Sequence, residues 1–298
     1  MKNKEVYLLV DFHIHTNYSD GKLSVDETMR VAYENKLSKI AITDHDSVLA
    51  IPRAQELALQ YGIDFVPGIE LSSRNDNGKI NFPLDISIHI LGYKINHKNT
   101  KLLEILKSYH SERKIILDNL IQKLNRNGLE IVYEDIYVIA GTQMRVQDII
   151  NHINTFFLDH KQKDYYISTA QSYYREISLI DFKVRDAIDL IKYSGGVSVW
   201  AHPFSSYKDY EIQLNSKEKI LTILDKMCVL GLDGIEAMYL QYTDEQVTYL
   251  EKLAKERGLF ITIGSDFHGK PPRNKMCSFE TKKINPFLEA LEVKCKGR

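Results

Sequence analysis

The stretch DFHIHTNYSDG, from Asp11 to Gly21, sets two histidines one residue apart, with Asp11 before them and Asp20 after them. It closes the apolar run VYLLVDF, which reads as a buried strand, so His13 and His15 leave its far end on the same side. Alone, the pair is open to two readings: hydrogen-bonded core imidazoles, or ligands of a divalent metal. Other residues of metal-ligating type recur along the chain. His45 stands in TDHD, Glu70 in PGIEL, His89 in ISIHILGY, His202 in AHP, and Asp266 with His268 in SDFH.

The elements that must position these side chains are short and regularly spaced. Apolar runs predict seven strands, at residues 6–12, 39–43, 64–73, 86–93, 195–203, 234–239 and 260–268. Helical patterns follow most of them. The first begins at a capping box, Ser24 with Glu27, and shows an apolar stripe at Val25, Met29, Ala32 and Tyr33. Others cover 217–230 and 243–257, and NDNGK before the fourth strand reads as an Asn-Gly hairpin turn. Strand–helix alternation with apolar strands predicts a parallel β/α architecture, a closed or nearly closed barrel, with an open doubly wound sheet as the alternative. Residues 99–181 break the rhythm: a long amphipathic helix stopped by Gly128 and further helical periodicity predict an inserted helical subdomain. The expected organisation is therefore a discontinuous barrel domain, 1–98 with 182–298, around an insert at 99–181.

In parallel β/α folds the active site gathers at the carboxyl ends of the strands. One edge would then receive six histidines (His13, His15, His45, His89, His202 and His268) and three carboxylates (Asp20, Glu70 and Asp266). The chain has ten histidines, and the other four lie in or beside the helical region. Each strand-end residue alone reads as an isolated polar group. Together they would suffer mutual repulsion if protonated and a desolvation cost if buried, and divalent cations remove both penalties. Nine ligands exceed what one zinc takes, so two or three ions are expected. Imidazole and carboxylate without thiolate suit Mn, Zn or Fe. Two ions about 3.5–4 Å apart can share a hydroxide and clamp a displacement at phosphorus, with a carboxylate between them, for which Glu70 is the candidate.

Bulk properties narrow the classes further. Hydrophobic content of 44% and charged content of 27% are those of a globular protein, and 39 basic against 40 acidic residues leave no electrostatic case for binding long nucleic acid. Cys228, Cys277 and Cys295 form no paired motif, which points to a reducing compartment. With no signal-peptide pattern and no apolar run of membrane-spanning length, the expectation is a cytoplasmic protein with no membrane partner.

With these residues placed, the chain resembles the PHP (polymerase and histidinol phosphatase) family of metal-dependent phosphoesterases. The matching pieces are DFHIHTNYSDG, AITDHD, PGIEL, HILGY, VSVWAHP and IGSDFHG, in that order from Asp11 to Gly269. The resemblance implies a distorted (β/α)7, TIM-like barrel with a trinuclear metal site at its C-terminal edge. Carried over, it implies that His13, His15, Glu70 and Asp266 hold one ion, Glu70, His89 and His202 a second, and Asp20, His45 and His268 a third. Glu70, Asp266 and His202 are the expected catalytic residues. Within the family, HILGY followed by a helical insert and GGVxVxAHP is similar to the stand-alone branch of 3',5'-nucleoside bisphosphate phosphatases and 5'-to-3' exoribonuclease-like enzymes. One departure is visible: where that branch carries Arg-Pro-His, this chain has Arg145 followed by Val146 and Gln147.

The expected reaction is phosphomonoester hydrolysis by a metal-bridging hydroxide, on a nucleotide or the end of a short oligonucleotide. Arg145, Arg273 and, more weakly, Lys270 are candidates for the phosphate, since a planar guanidinium suits its oxygens. For each, a solvated surface charge is the competing reading. Asp11, Asp44 and Glu236 could accept the outer N–H of ligand imidazoles. Tyr165, Tyr166, Tyr173 and Tyr174 read as packing of the insert, with base stacking as the alternative. Three other functions stay open: a histidinol-phosphate-type phosphatase, a non-catalytic metal-binding PHP module, and an amidohydrolase, which glutamate rather than a bridging lysine on the third strand disfavours.

Overall fold

Each predicted apolar run of the barrel appears as a strand in the computed structural model, which describes residues 9–74, 87–140, 143–156, 158–204, 217–276 and 279–280. In chain order the elements begin with β1 (Leu9–Ile14), α1 (Val25–Glu34), β2 (Lys39–Ile42), α2 (Ile51–Tyr61), β3 (Asp64–Arg74) and β4 (Ser87–Tyr93). A helical stretch follows: α3 (Thr100–Arg126), α4 (Tyr133–Ala140), α5 (Val146–Ile153) and α6 (His160–Ser178). The chain then returns through β5 (Phe182–Lys183), α7 (Val184–Tyr193), β6 (Val197–Trp200), α8 (Lys217–Val229), β7 (Gly234–Tyr239), α9 (Asp244–Arg257), β8 (Phe260–Gly264) and β9 (Phe279–Glu280). The start of the first predicted strand, the NDNGK turn, Cys277 and Cys295 lie outside the described residues.

Local signals act as read. Ser24 Oγ accepts the Glu27 N–H at 3.2 Å and the Glu27 carboxylate accepts the Ser24 N–H at 2.8 Å, so α1 starts there. Gly62 ends α2 at φ 67°, a left-handed conformation that costs glycine little. Val25, Met29 and Ala32 are buried as the stripe predicts, but Tyr33 is not. It stands at the edge of that stripe and stacks on Tyr61 at 5.0 Å.

The sheet runs β8-β7-β6-β4-β3-β2-β1, with β9 beside β1 and β5 beside β3. Past the end of β8, Phe267 pairs with β1: His15 N–H donates to Phe267 O at 2.8 Å, and Phe267 N–H to His13 O at 3.2 Å. Seven strands thus form a nearly closed barrel. The parallel β/α rhythm has one exception, at the strand before which the sequence reads as a hairpin turn. β4 is antiparallel to both β3 and β6, paired residue for residue from Gly68↔Tyr93 to Arg74↔Ser87. A strand that folds straight back on its predecessor pairs antiparallel, whereas a parallel neighbour needs a crossover.

Two ladders slip by one residue. Between Asp11 and Ile14, β1 spends one more residue than β2, and between Glu236 and Met238, β7 spends one more than β8. Val10, Phe12, Ala41, Leu91, Tyr93, Val199 and Ile263 share one apolar core, in which Tyr93 Oη donates to Phe12 O at 2.9 Å. A second cluster, with Met29, Ala32, Ile40, Ile42 and Ala54, packs α1 and α2 on the strands.

The chain divides into two compact units, Met1–Leu102 with Phe182–Arg298, and Leu103–Asp181. The second has its own core of Leu120, Leu124, Ile136, Ile149, Ile153 and Ala170. Tyr166 is buried in it and donates to Asn127 O, while Tyr165 and Tyr174 are exposed. No described helix is long and apolar enough to cross a membrane.

Candidate metal centre

Six of the barrel strands end in residues that can ligate a cation. β1 carries His13, and His15 follows directly after it. The turns after β2, β6 and β8 carry His45, His202, and Asp266 with His268. β3 carries Glu70 seven residues in. Because β4 runs backwards, His89 reaches the same edge from that strand's amino end, opposite Ser72. Asp20 arrives on the loop after β1, where Gly21 N–H donates to Thr16 O at 3.0 Å.

These side chains converge around Glu70. Its Oε2 lies 3.1 Å from His13 Nε2, 3.1 Å from His15 Nε2 and 3.4 Å from His45 Nδ1. Its Oε1 lies 3.0 Å from His89 Nδ1 and 3.2 Å from His202 Nε2. Three groups of potential ligand atoms each fall within 4.8 Å: His13, His15, Glu70 and Asp266; His15, Asp20, His45 and His268; His45, Glu70 and His89. The partition differs in detail from the one the resemblance implies. His15 joins two groups, His45 shares one with Glu70, and His202 enters only through its contact with Glu70.

The donor chemistry of this cluster fits cations. Asp20 Oδ1, His45 Nδ1, Asp266 Oδ1 and His268 Nε2 are buried and make no hydrogen bond of acceptable geometry. Yet each has a group of opposite kind within 3.5 Å. Close approach without alignment is the arrangement of atoms turned toward a common point rather than toward each other. His13 Nε2 and His15 Nε2 also face each other at 3.1 Å, although only one of two apposed ring nitrogens can donate.

Burial opposes charge at His13, His15, His45, His268, Glu70, Asp20 and Asp266, and the neighbours decide the balance. At His13 burial is outweighed by the carboxylates of Glu236, Glu70 and Asp266, which raise its pKa. His15 is likewise pushed up to about 9 by Asp266 and Glu70. At His45 and His268 burial prevails and lowers the pKa. Glu70, Asp20 and Asp266 sit well below the usual carboxylate range, because the surrounding imidazoles overcome burial.

Backbone strain marks the same place. His202 has φ 30° and Asp266 has φ 54°, left-handed values that a residue with a side chain adopts at a cost. Asp46, at φ 51°, receives the Ser72 N–H and hydroxyl at 2.9 and 2.8 Å and so ties the loop after β2 to β3.

The other predicted residues fall in three situations. Arg273 is at the site: its Nη1 donates to Asp266 Oδ2 at 2.7 Å, and about a third of its side chain is exposed. Lys270 Nζ donates to Asp20 O at 2.8 Å. Arg145 belongs to the second unit, where it binds both carboxylate oxygens of Asp148 at 2.7 and 2.9 Å. Asp11 accepts the His13 and Ser265 N–H groups, and Asp44 accepts Thr16 N–H and Oγ1 and Ser19 Oγ, so both hold loops. Glu236 contacts an imidazole, that of His13. Sequence reasoning passed over Asp46, Ser19 and Tyr239. The signal for Tyr239 was its place at the end of a strand reaching the same edge.

The family model described as PHP domain matches residues 11–226. A 5'-3' exoribonuclease of Haemophilus influenzae is 27% identical over 262 residues, covering 87% of this chain and 89% of its own. A 3',5'-nucleoside bisphosphate phosphatase of Chromobacterium violaceum is 25% identical over 269 residues, 87% of each. A crystal structure from Bifidobacterium adolescentis, provisionally named a metal-dependent phosphoesterase, superposes over 96% of each chain with a TM-score of 0.70 at 20% identity, a likeness of fold.

Proposed function

This chain belongs to the PHP domain family, and we propose that it is a metal-dependent phosphoesterase that hydrolyses a phosphomonoester of a nucleotide or of a short oligonucleotide's 5' end. The observation that carries the reading is the set of four buried, misaligned polar atoms among Glu70 and the eight side chains gathered round it. Relatives that act on nucleoside bisphosphates and on RNA from the 5' end support the substrate class.

His13, His15, Glu70 and Asp266 would hold one divalent ion, Glu70, His89 and His202 a second, and Asp20, His45 and His268 a third. Mn, Zn and Fe all suit these donors. Bound there, the ions acidify water and neutralise charge on phosphoryl oxygens. The protein's own part is to hold Glu70 between ion sites through both of its oxygens and to keep nine ligands in one buried place. Arg273 adds a guanidinium beside Asp266 whose remaining N–H groups are suited to a phosphate. Lys270 lies on the same turn. Arg145 keeps its candidacy on chemistry alone.

A substrate panel with Mn-replete protein tests the proposal, comparing 3',5'-bisphosphates, 5'-phosphorylated short RNA, histidinol phosphate and phosphodiesters. Turnover of either nucleotide class above the rest is the expected result. Turnover of histidinol phosphate alone would transfer the enzyme to a different small substrate. No hydrolysis of any phosphate ester would reject the catalytic reading and leave a metal-binding module.

A further inference from the structure

Of the seven barrel strands, β7 alone contributes none of the nine side chains, yet it reaches the cluster twice. Glu236 Oε1 accepts from His13 Nδ1 at 2.9 Å, and Oε2 accepts the backbone N–H of His202 at 2.8 Å. Three residues later, Tyr239 Oη donates to Asp266 Oδ2 at 3.0 Å. In a regular strand, residues three apart project to opposite faces. Here Glu236 stands opposite Thr262 and Tyr239 opposite Gly264, which are only two apart on β8. Ala237 is therefore the surplus residue, and the bulge it makes brings both side chains to one face. Gly264 keeps that face open, since a Cβ there would collide with His13 Cβ and Glu236 Oε1.

We propose that β7 is the positioning strand of the centre: Glu236 holds His13 through Nδ1 so that Nε2 is left for an ion, and the bulge-aimed Tyr239 turns Asp266 so that Oδ1 is left for one. The Glu236 carboxylate accepts from Nδ1, so a hydrogen of His13 is held there, and Nε2, which faces Glu70 and Asp266, is the nitrogen left for an ion. Glutamine could serve one of Glu236's two donors but would turn its own NH₂ group toward the other. At Asp266, Tyr239 and Arg273 both donate to Oδ2, and Oδ1 is the buried oxygen without a hydrogen bond. This inference rests on the metal-centre reading and is separable from it.

The test is titration of metal-free protein with Co²⁺, reading dissociation constants and the visible absorption of the bound ion. Glu236→Gln should weaken the tightest ion by about 10–100-fold and shift its visible bands, because ligand orientation changes. Tyr239→Phe, nearly isosteric and so the safeguard against misfolding, should shift the bands with a several-fold loss. Tyr242→Phe is the control. It removes a hydroxyl that accepts the Phe204 N–H at 2.7 Å beside the same strand, and its spectrum should match the wild type. Wild-type affinity and bands in both folded test variants would overturn the proposal. So would an equal band shift in Tyr242→Phe. A wild-type protein that binds no cobalt would overturn the metal-centre reading itself.

Discussion

The interior of the helical unit and the open edge of the barrel are both buried, and they are built in opposite ways. Around Leu120, Leu124, Ile136 and Ile149 the side chains are aliphatic, and burial itself is the stabilising force. Around Glu70 the buried groups are imidazoles and carboxylates, four of their atoms lack a hydrogen bond, and two of the residues have left-handed backbone. The first region holds a shape. The second spends stability to keep polar atoms aimed at a point that other chemistry must fill.

The contrast is sharpest at its centre. Glu70→Gln should remove activity by well over about 100-fold and strip bound ions, because loss of a partner that merely supports a ligand already costs 10–100-fold. Metal analysis beside kinetics checks it, and a fully active, fully loaded variant would break the comparison. In the helical unit, Leu124→Ala should cost about 2–5 kcal/mol of stability, read from urea unfolding, while the protein that remains folded keeps its metal content.

Acidity separates the two regions further. His13 and His15 have folded pKa values above the ordinary 6.5, that of His15 about 9, so the stability they contribute is full below pH 6.5 and is lost as pH rises, His15's share through about 9. His45 and His268 are shifted down and contribute nothing that changes above 6.5. From His15 alone, metal-free protein should therefore lose on the order of 3 kcal/mol between pH 6.5 and 9, at about 1.4 kcal/mol per pKa unit. Ion-loaded protein should not. Chemical denaturation with and without chelator across that range decides it. The smallest effect expected is at Asp46→Asn, which weakens the two hydrogen bonds to Ser72 by about 1 kcal/mol and lowers the denaturation midpoint modestly.

Much of this was readable in the chain itself, for physical reasons. The strands are apolar runs of the right length, and helix ends carry their stop signals, as at Gly62. The gathering at one edge could be anticipated because histidines and acids repeatedly terminate apolar runs. The direction of β4 was signalled by the Asn-Gly hairpin turn read before it, against the βα rhythm around it. The surplus residues in β1 and β7 leave no compositional trace: Ala237 looks like any strand alanine, and only pairing shows that it is extra. Tyr239 and Asp46 were missed because each acts through a partner distant in sequence, Asp266 and Ser72. Tyr33 follows the helical period yet lies just past the buried arc, a margin that periodicity does not resolve.

The junction of β1 with Phe267 has a temporal consequence. His13 and His268 lie far apart in sequence, so a chain still being synthesised cannot complete the pocket until the segment carrying Asp266 and His268 has emerged. A nascent fragment that lacks this segment is thus expected to hold an incomplete centre, and translation itself sets the moment at which the full set of ligands can first meet.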